Sequence, residues 1–137
     1  MNHIIKEITS HWTLPIRHKV MWPDKPLDYV KVPNDNEGRH FGLFIDEKLI
    51  SIISLFEEKK EIQFRKFATL HAYQGNGYGS QLLKFIIELT AQEGARKIWC
   101  NARVDKAGYY RKFGLNETDK RYEKGGIQFV IMEKIVA

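Results

Sequence analysis

The most constraining feature of the sequence is a glycine-rich loop between a predicted strand and a predicted helix. Residues 62–70, IQFRKFATL, begin with the apolar–polar alternation that is typical of a β-strand. Residues 79–93 gather their apolar side chains on one broad helical face, and Gly94 follows as a suitable C-terminal cap. Between them, YQGNGYG carries glycine at positions 75, 77 and 79. The chain must therefore turn tightly from a strand into a helix here.

A loop of this kind predicts an anion-binding site. The first N–H groups of a helix have no partner within the helix, and the helix dipole favours negative charge there. Gly75 and Gly77 would let the loop wrap closely around a phosphate, and Gly79 would open the helix. The alternative is an ordinary turn that happens to be rich in glycine.

Two common phosphate-binding patterns do not match this loop. The P-loop pattern G-x-x-x-x-G-K-[ST] requires a lysine, and none follows Gly79. The dinucleotide-binding pattern G-x-G-x-x-G requires glycine at position 80, where the chain has Ser80. Gln74, Gly77 and Gly79 instead fit the pattern Q-x-x-G-x-G.

The rest of the chain completes a mixed α/β fold with a largely antiparallel sheet. Its other predicted elements are a helix over Leu14–Met21, a hairpin over residues 41–45 and 49–56, a strand over residues 97–100, a second helix over residues 104–114 and a closing strand in GIQFVIMEKI. Residues 22–40 and 115–126 are predicted to be loops.

Length and composition indicate one globular domain over residues 1–137. Hydrophobic residues make up 43% of the chain and charged residues 28%, as in soluble proteins rather than disordered ones. No apolar run approaches the ~20 residues that span a bilayer. The N-terminal stretch also lacks the basic start and continuous apolar segment of a secretory signal. We therefore expect a cytoplasmic protein without a membrane partner.

The residues that bind metals or form disulfides are few. One cysteine, Cys100, excludes an intrachain disulfide and a cysteine metal cluster. It lies in an apolar strand beside Trp99, which predicts a buried, inert thiol. The five histidines show no metal-ligand spacing, so we predict no metal cofactor.

The net charge of +5 is compatible with a nucleic acid or with a small polyanion as partner. The basic residues are spread along the chain rather than clustered. A nucleic-acid-binding domain would also leave the glycine loop unexplained. We therefore predict no nucleic-acid partner.

Two stretches, RKFATLHAYQGNGYGSQLL and KIWCNARVDKAGYYRKFGL, resemble the GNAT family of N-acetyltransferases. LPIRHKVMWP and HFGLFIDEKLISIISLF are similar to the first helix and hairpin of one bacterial branch of that family. The resemblance implies the acyl-CoA N-acyltransferase fold and an acetyl-CoA-dependent N-acetyltransferase, with acetyl-CoA as co-substrate. It also implies a small-molecule or peptide amine as acceptor, and either a monomer or a homodimer.

The resemblance further implies which residues bind acetyl-CoA. The strand end that would pair with the pantetheine arm comprises Phe67, Ala68, Thr69 and Leu70. The loop and helix start that would hold the pyrophosphate comprise Gln74, Gly75, Asn76, Gly77, Tyr78, Gly79 and Ser80. Asn101, placed after a strand, would touch the pantetheine or serve as an ordinary turn asparagine. The backbone N–H of Leu70 would polarise the thioester carbonyl.

Tyr110 is the candidate general acid that would protonate the departing thiolate and contact the cofactor. It matches the family position, and neighbouring helical residues point ~100° apart, so Tyr109 cannot face the same way. Tyr109 and Phe113 are four residues apart and would share a core-facing side. The alternative for Tyr110 is a structural tyrosine at the edge of the core.

The general base is the point at which the sequence departs from the family. In the histone-acetylating branch a glutamate precedes the loop glutamine by eleven residues, and this chain has Gln63 there. Glu61 and His71 are the substitutes, unless the amine arrives neutral or both are ordinary surface residues. The resemblance also implies that Arg17 and His18, with Trp22 and the loop to His40, line the acceptor pocket. Gln63 also leaves open a non-catalytic acyl-CoA-binding or regulatory module.

Overall fold

The computed structural model describes residues 2–137, in which seven strands form one sheet. The strands are β1 (His3–Ile8), β2 (Arg39–Ile45), β3 (Lys48–Glu58), β4 (Glu61–Thr69), β5 (Lys97–Arg103), β6 (Asn116–Lys124) and β7 (Ile127–Ile135), and the α-helices are α1 (Ser10–Ile16), α2 (Tyr78–Gln92) and α3 (Ala107–Arg111). The strand order is β1-β2-β3-β4-β5-β7-β6. β4 and β5 pair in parallel, whereas β1–β2, β2–β3, β5–β7 and β6–β7 are antiparallel. The predicted mixed α/β fold with a largely antiparallel sheet is confirmed.

The chain divides into two compact units. The first comprises the chain up to Phe56 together with Arg65–Ile86, and the second comprises Glu57–Phe64 and the chain from Ile87 onwards. The single domain over residues 1–137 stays a prediction.

In the first unit, antiparallel strands bury two small apolar clusters. One consists of Ile16, Ile52 and Ala68. The other consists of Leu43, Ile45 and Ile50. Leu70 packs against both clusters, so the residue that follows β4 is fixed by the core of this unit.

The first helix begins earlier than the sequence predicts. α1 starts at Ser10 rather than Leu14, so Pro15 lies inside the helix instead of its first turn. A π-helical turn over Arg17–Met21 continues the chain. Pro15 is tolerated near this junction because proline has no N–H to donate. The α-helical hydrogen-bond pattern is already interrupted where the wider π-helical turn begins.

Arg17 is fully buried and connects separate parts of the first unit. Its guanidinium donates to both carboxylate oxygens of Asp35, at 2.8 and 3.0 Å, and to the Val30 carbonyl at 3.1 Å. It also donates to Ser54 Oγ at 3.0 Å, and Ser54 Oγ lies 2.8 Å from His40 Nδ1. The prediction that Arg17 lines an acceptor pocket is therefore wrong.

In the second unit, β5 shows the alternation of a strand with one buried face. Ile98, Cys100 and Ala102 are buried, while Lys97 and Trp99 project to the other face. β5 extends to Arg103, three residues beyond the predicted strand, so Asn101 lies within it and not in a turn. The predicted helix over residues 104–114 is a 3₁₀ turn over Val104–Lys106 followed by α3.

The predicted loop over residues 115–126 is wrong, because β6 occupies residues Asn116–Lys124 and pairs with β7. β6 is an edge strand of charged and mostly exposed residues, so it lacks the apolar alternation that identifies half-buried strands. β1 is also missing from the predicted elements.

Three two-residue turns in the described part of the chain have positive φ at both positions. They lie at Asp46–Glu47 (47° and 74°), Lys59–Lys60 (52° and 66°) and Gly125–Gly126 (59° and 80°). Left-handed residues at both positions give the turn whose twist matches antiparallel strands. The turn predicted in DEK is thereby confirmed, and the adjacent glycines at 125 and 126 were an available signal for the β6–β7 hairpin.

Candidate functional site

The end of β4 in the first unit is tied to β3 by hydrogen bonds. Leu70 N–H donates to the Ile50 carbonyl at 2.9 Å. Ser51 Oγ donates to the Ala68 carbonyl at 3.2 Å and lies 2.8 Å from Thr69 Oγ1. The strand end assigned to pantetheine binding therefore has a fixed position.

The bond from Leu70 to Ile50 corrects the prediction about the thioester donor. Because the Leu70 N–H already has a backbone acceptor, it is not available to polarise a thioester carbonyl. N–H groups alternate between the two edges of a strand. The N–H of Thr69 consequently points away from β3 and replaces Leu70 as the candidate.

β4 is irregular just before this end. Lys66 has φ of 53°, in the left-handed region that residues with a Cβ rarely adopt. Local irregularities of this kind bend a strand and re-aim its backbone groups. The segment Phe67–Leu70 begins directly after this change of direction.

The glycine loop follows a 3₁₀ turn over His71–Tyr73. Gly75 and Gly77 have φ of 81° and 84°, and a Cβ added to either would meet no protein atom within 4 Å. The loop therefore needs glycine for its left-handed backbone and leaves open space at both Cα atoms.

Gly79 serves a different purpose in the same loop. It is the second residue of α2, and an added Cβ would lie 3.1 Å from Thr69 Oγ1 and 3.4 Å from the Phe67 ring. Glycine here lets the start of the helix pack directly against the end of β4.

Polar side chains of the loop turn back onto its own backbone. Gln74 Nε2 donates to the Thr69 carbonyl at 2.8 Å and lies 3.4 Å from His71 Nδ1. Asn76 Nδ2 donates to the Gln74 carbonyl at 3.2 Å. These bonds join the loop to the strand end and reduce its freedom.

Two tyrosines anchor the loop at both of its ends. Tyr73 and Tyr78 pack against the cluster of Leu43, Ile45 and Ile50, with their ring centroids 6.3 Å apart. The side chain of Tyr78, a predicted cofactor contact, thus serves the core, while its backbone begins α2. The signal in the sequence that could have identified this pair is an aromatic residue on each side of Gly75 and Gly77.

The start of α2 is suited to hold an anion. α2 has 15 residues, and Gln81 N–H donates to the Gly77 carbonyl at 3.0 Å as its first turn closes. In general, the first N–H groups of a helix have no acceptor within the helix, and the helix dipole adds partial positive charge there. Ser80 is half-buried in this first turn. The phosphate cradle over Gln74–Ser80 stays a prediction.

In the second unit, Tyr110 lies on α3 among aromatic rings. Its ring centroid is 5.7 Å from that of Phe64 and 5.3 Å from that of Tyr109. Burial, with smaller contributions from Cys100 and Tyr109, raises the pKa of the Tyr110 phenol above its usual value of 10.0. Tyr109 packs against Phe113 with ring centroids 5.2 Å apart, as predicted for residues on one side.

Glu61 begins β4 and is held in an ion pair. Its carboxylate lies 3.5 Å from Lys97 Nζ, and the same ammonium lies 3.3 Å from Glu133. Gln63 stands opposite Trp99 in the parallel pairing of β4 with β5. Glu61 is therefore already engaged as the partner of a cation.

Two further side chains belong to β5. Asn101 is exposed and stands opposite Ile131 of β7. Cys100 is buried, and burial raises the pKa of its thiol to about 12. A thiol with this pKa carries almost no thiolate at neutral pH, so the predicted inert cysteine is confirmed.

The chain matches the family model described as the acetyltransferase (GNAT) domain over residues 23–136. It belongs to the GNAT family. It is also 34% identical to the uncharacterised N-acetyltransferase YitI of Bacillus subtilis, over 95% of this chain and 94% of that protein. Membership of the GNAT family makes the chain an acetyltransferase, as its sequence predicts.

Solved structures share the GNAT fold over the whole chain. A structure from Lactobacillus plantarum superposes with a TM-score of 0.88 at 21% identity and covers 100% of both chains. A GNAT acetyltransferase from Elizabethkingia anophelis, solved with acetyl-CoA bound, superposes with a TM-score of 0.74 at 18% identity and covers 98% of both chains. The predicted acyl-CoA N-acyltransferase fold is thus confirmed.

Two features are absent from the described part of the chain. Among residues 2–137, no helix is long and apolar enough to cross a membrane. Within the same residues, no group of three or more histidine, cysteine or acidic side chains is arranged to hold a metal ion.

Proposed function

We propose that this GNAT protein transfers the acetyl group of acetyl-CoA to a primary amine of a small molecule or peptide. The observation that carries the proposal is the loop Gln74–Gly79, where two left-handed glycines lead into the first turn of α2. That arrangement suits a pyrophosphate. A GNAT acetyltransferase of the same fold binds acetyl-CoA, which supports this donor.

The proposed cofactor contacts are divided between backbone and loop. The backbone of Phe67–Thr69 pairs with the pantetheine arm, and the loop and helix start from Gln74 to Ser80 hold the pyrophosphate. Leu70 is left out of the pairing because its N–H and carbonyl bond Ile50 and Tyr73. Asn101 contributes a further polar contact to the pantetheine.

Transfer occurs by direct attack in a ternary complex of the protein, acetyl-CoA and the amine. The neutral amine nitrogen attacks the thioester carbonyl carbon, a C–N bond forms, and the C–S bond breaks. The nitrogen loses one proton and the CoA thiolate gains one, so the reaction balances without a further reactant. Thr69 N–H stabilises the oxyanion, and such a donor contributes about 3 kcal/mol in enzymes where it has been removed.

Tyr110 supplies the proton to the CoA thiolate. Its raised pKa keeps the phenol protonated at neutral pH, so it is always able to donate. The same shift makes it a weaker acid, which suits a group that donates only as the thiolate charge develops.

His71 and Glu61 are the candidates for accepting the amine proton, since Gln63 cannot. The His71 side chain is exposed and its Nδ1 lies 3.4 Å from Gln74 Nε2, whereas Glu61 is paired with Lys97. The contacts therefore favour His71 over Glu61.

Calorimetric titration with acetyl-CoA tests the proposal. The wild-type protein should bind, and Gly77→Glu should weaken binding at least about tenfold, because a carboxylate within ~5 Å of the pyrophosphate repels it. Gly94→Glu is the matched control, since Gly94 has φ of 93° and similarly open space. The proposal is contradicted if both variants lose acetyl-CoA binding, or if the wild-type protein does not bind acetyl-CoA.

An amine panel separates an enzyme from the alternative of a non-catalytic acyl-CoA-binding module. Release of free CoA thiol with at least one amine supports catalysis. Tight acetyl-CoA binding without thiol release from any amine would favour the binding module.

A further inference from the structure

The second unit contains a cavity of about 550 Å³. Its volume lies within the range of about 300–1,000 Å³ that is usual for small-molecule sites. It opens on the sheet face that carries Lys97 and Trp99 of β5 together with Glu133 of β7. Residues 117–120 of β6 close one side.

A bulge in β6 shapes this cavity. β6 advances four residues from Glu117 to Arg121 while β7 advances two, from Met132 to Val130. The two extra residues are fixed by Thr118, whose Oγ1 donates to the Ile131 carbonyl at 2.8 Å and accepts from a backbone N–H at 3.2 Å. Bulges of this kind re-aim side chains, and this one brings Asp119 to the cavity wall.

Charges of both signs line the cavity. Its lining has four carboxylates, on Glu61, Glu117, Asp119 and Glu133, and two lysines, Lys97 and Lys120. Lys97 is only 24% exposed and lies between two of the carboxylates, at 3.5 and 3.3 Å, so one ammonium already occupies this wall.

Asp119 is the carboxylate that a ligand can use. Among residues 2–137 it makes no ion pair within 4.0 Å, whereas Glu117 is bound by Arg111 and Arg121. Glu61 and Glu133 also share the single ammonium of Lys97, which leaves one negative charge on their side of the cavity.

Trp99 supplies an aromatic wall to the same cavity. An indole face attracts ammonium groups and packs against alkyl chains. Trp99 stands opposite Gln63, the position where the family resemblance places the general base. The cavity therefore combines an apolar surface with an unpaired carboxylate beside a position already linked to the acceptor.

We propose that this cavity binds the amine acceptor, and that the acceptor carries a second, cationic amine. This inference rests on the proposed function. The alkyl chain lies against Trp99 and the charged amine binds Asp119, while the other amine, once neutral, is the nucleophile that takes the acetyl group.

Binding of 1,5-diaminopentane, with pentylamine and 1,5-pentanediol for comparison, tests the inference by calorimetry on the full chain. The diamine and pentylamine, which both carry an ammonium group at neutral pH, should bind about two- to fivefold more tightly than 1,5-pentanediol, the effect of one exposed ion pair. Asp119→Asn should remove this difference, and Glu123→Gln, on the same strand but outside the cavity, should keep it. Equal binding of the three compounds, no binding of the diamine, or a preference that survives Asp119→Asn overturns the inference.

Thiol release with the same amines separates this inference from the proposed function. If wild type and Asp119→Asn both turn over acetyl-CoA as fast with pentylamine as with the diamine, only the cavity assignment is overturned. A protein that does not bind acetyl-CoA contradicts the proposed function, whatever the diamine titration shows. Faster turnover with the diamine that is lost in Asp119→Asn supports both.

Discussion

The side-chain amide of Gln74 donates a hydrogen bond to the backbone carbonyl of Thr69 at 2.8 Å. This bond joins the glycine loop to the end of β4, so two segments proposed to hold different parts of acetyl-CoA share one contact. The loop and the strand end should therefore respond together to a change at Gln74.

Replacing Gln74 with alanine should weaken acetyl-CoA binding more than it weakens the fold. Gln74 is exposed, and one such hydrogen bond contributes only about 0.5–1.5 kcal/mol, so we expect a three- to tenfold loss of affinity. Titration calorimetry and thermal unfolding measure the two effects. Gln92→Ala, at an exposed position near the end of α2, is the control. Unchanged affinity in Gln74→Ala would show that the bond does not shape the site.

Tyr110→Phe should leave acetyl-CoA binding intact and slow turnover by up to about 10²–10⁴-fold, the range for a lost general acid. Because the pKa of Tyr110 is raised, the wild-type rate should show no loss from phenol ionisation between pH 7 and about 10. Thiol release across this pH range measures both effects. Tyr109→Phe removes the neighbouring hydroxyl and should retain wild-type turnover. Equal turnover in Tyr110→Phe and wild type would exclude Tyr110 as the acid.

Asp35→Asn should destabilise the protein by about 3–5 kcal/mol, because it leaves the buried Arg17 without its counter-charge. Burial raises the pKa of Asp35, but hydrogen bonds from Arg17 and a backbone N–H, with the Arg17 charge, outweigh burial and lower it. Asp28→Asn, whose carboxylate is 85% exposed beside Lys31, should change stability little.

The lowered pKa of Asp35 also predicts how stability depends on pH. The unfolded chain binds this proton more readily, so the stabilisation is complete above the unfolded pKa of about 3.9 and is lost as pH falls through the lower folded pKa. Urea unfolding from pH 6 to pH 2 should be less pH-dependent in Asp35→Asn than in wild type. Parallel curves for the two proteins would contradict this assignment.

Cys100→Ala should keep turnover within about threefold of wild type, since direct attack needs no acyl-cysteine and a buried thiol with a pKa of about 12 is a poor nucleophile. Native protein should also react slowly with a thiol reagent and rapidly once unfolded. A Cys100→Ala variant that binds acetyl-CoA but cannot release its thiol would support a covalent intermediate instead.

Local signals made the glycine loop predictable. The alternation before it, the spacing of Gly75, Gly77 and Gly79, and the apolar face after it all lie within about thirty residues. α2 accordingly starts within one residue of its predicted position. The loop also carried the family resemblance, which the comparisons confirm.

Features that depend on distant partners were not predictable in the same way. Leu70 looked like a free donor, because its acceptor, Ile50, lies on another strand and only the register reveals the bond. Arg17 and Asp35 are separated by eighteen positions, with no local pattern to link them. β6 was hidden by its charges, since an exposed edge strand does not need apolar residues.

The left-handed turns at Asp46–Glu47 and Lys59–Lys60 bear on how readily the substrate choice of this enzyme can evolve. Each residue with a Cβ costs about 1 kcal/mol in that conformation, so an Asn-Gly pair at either turn would make the protein more stable. Both turns lie outside the loop Gln74–Gly79. Mutations that alter substrate choice usually cost stability, and these two turns are places where a lineage could recover it without altering the loop.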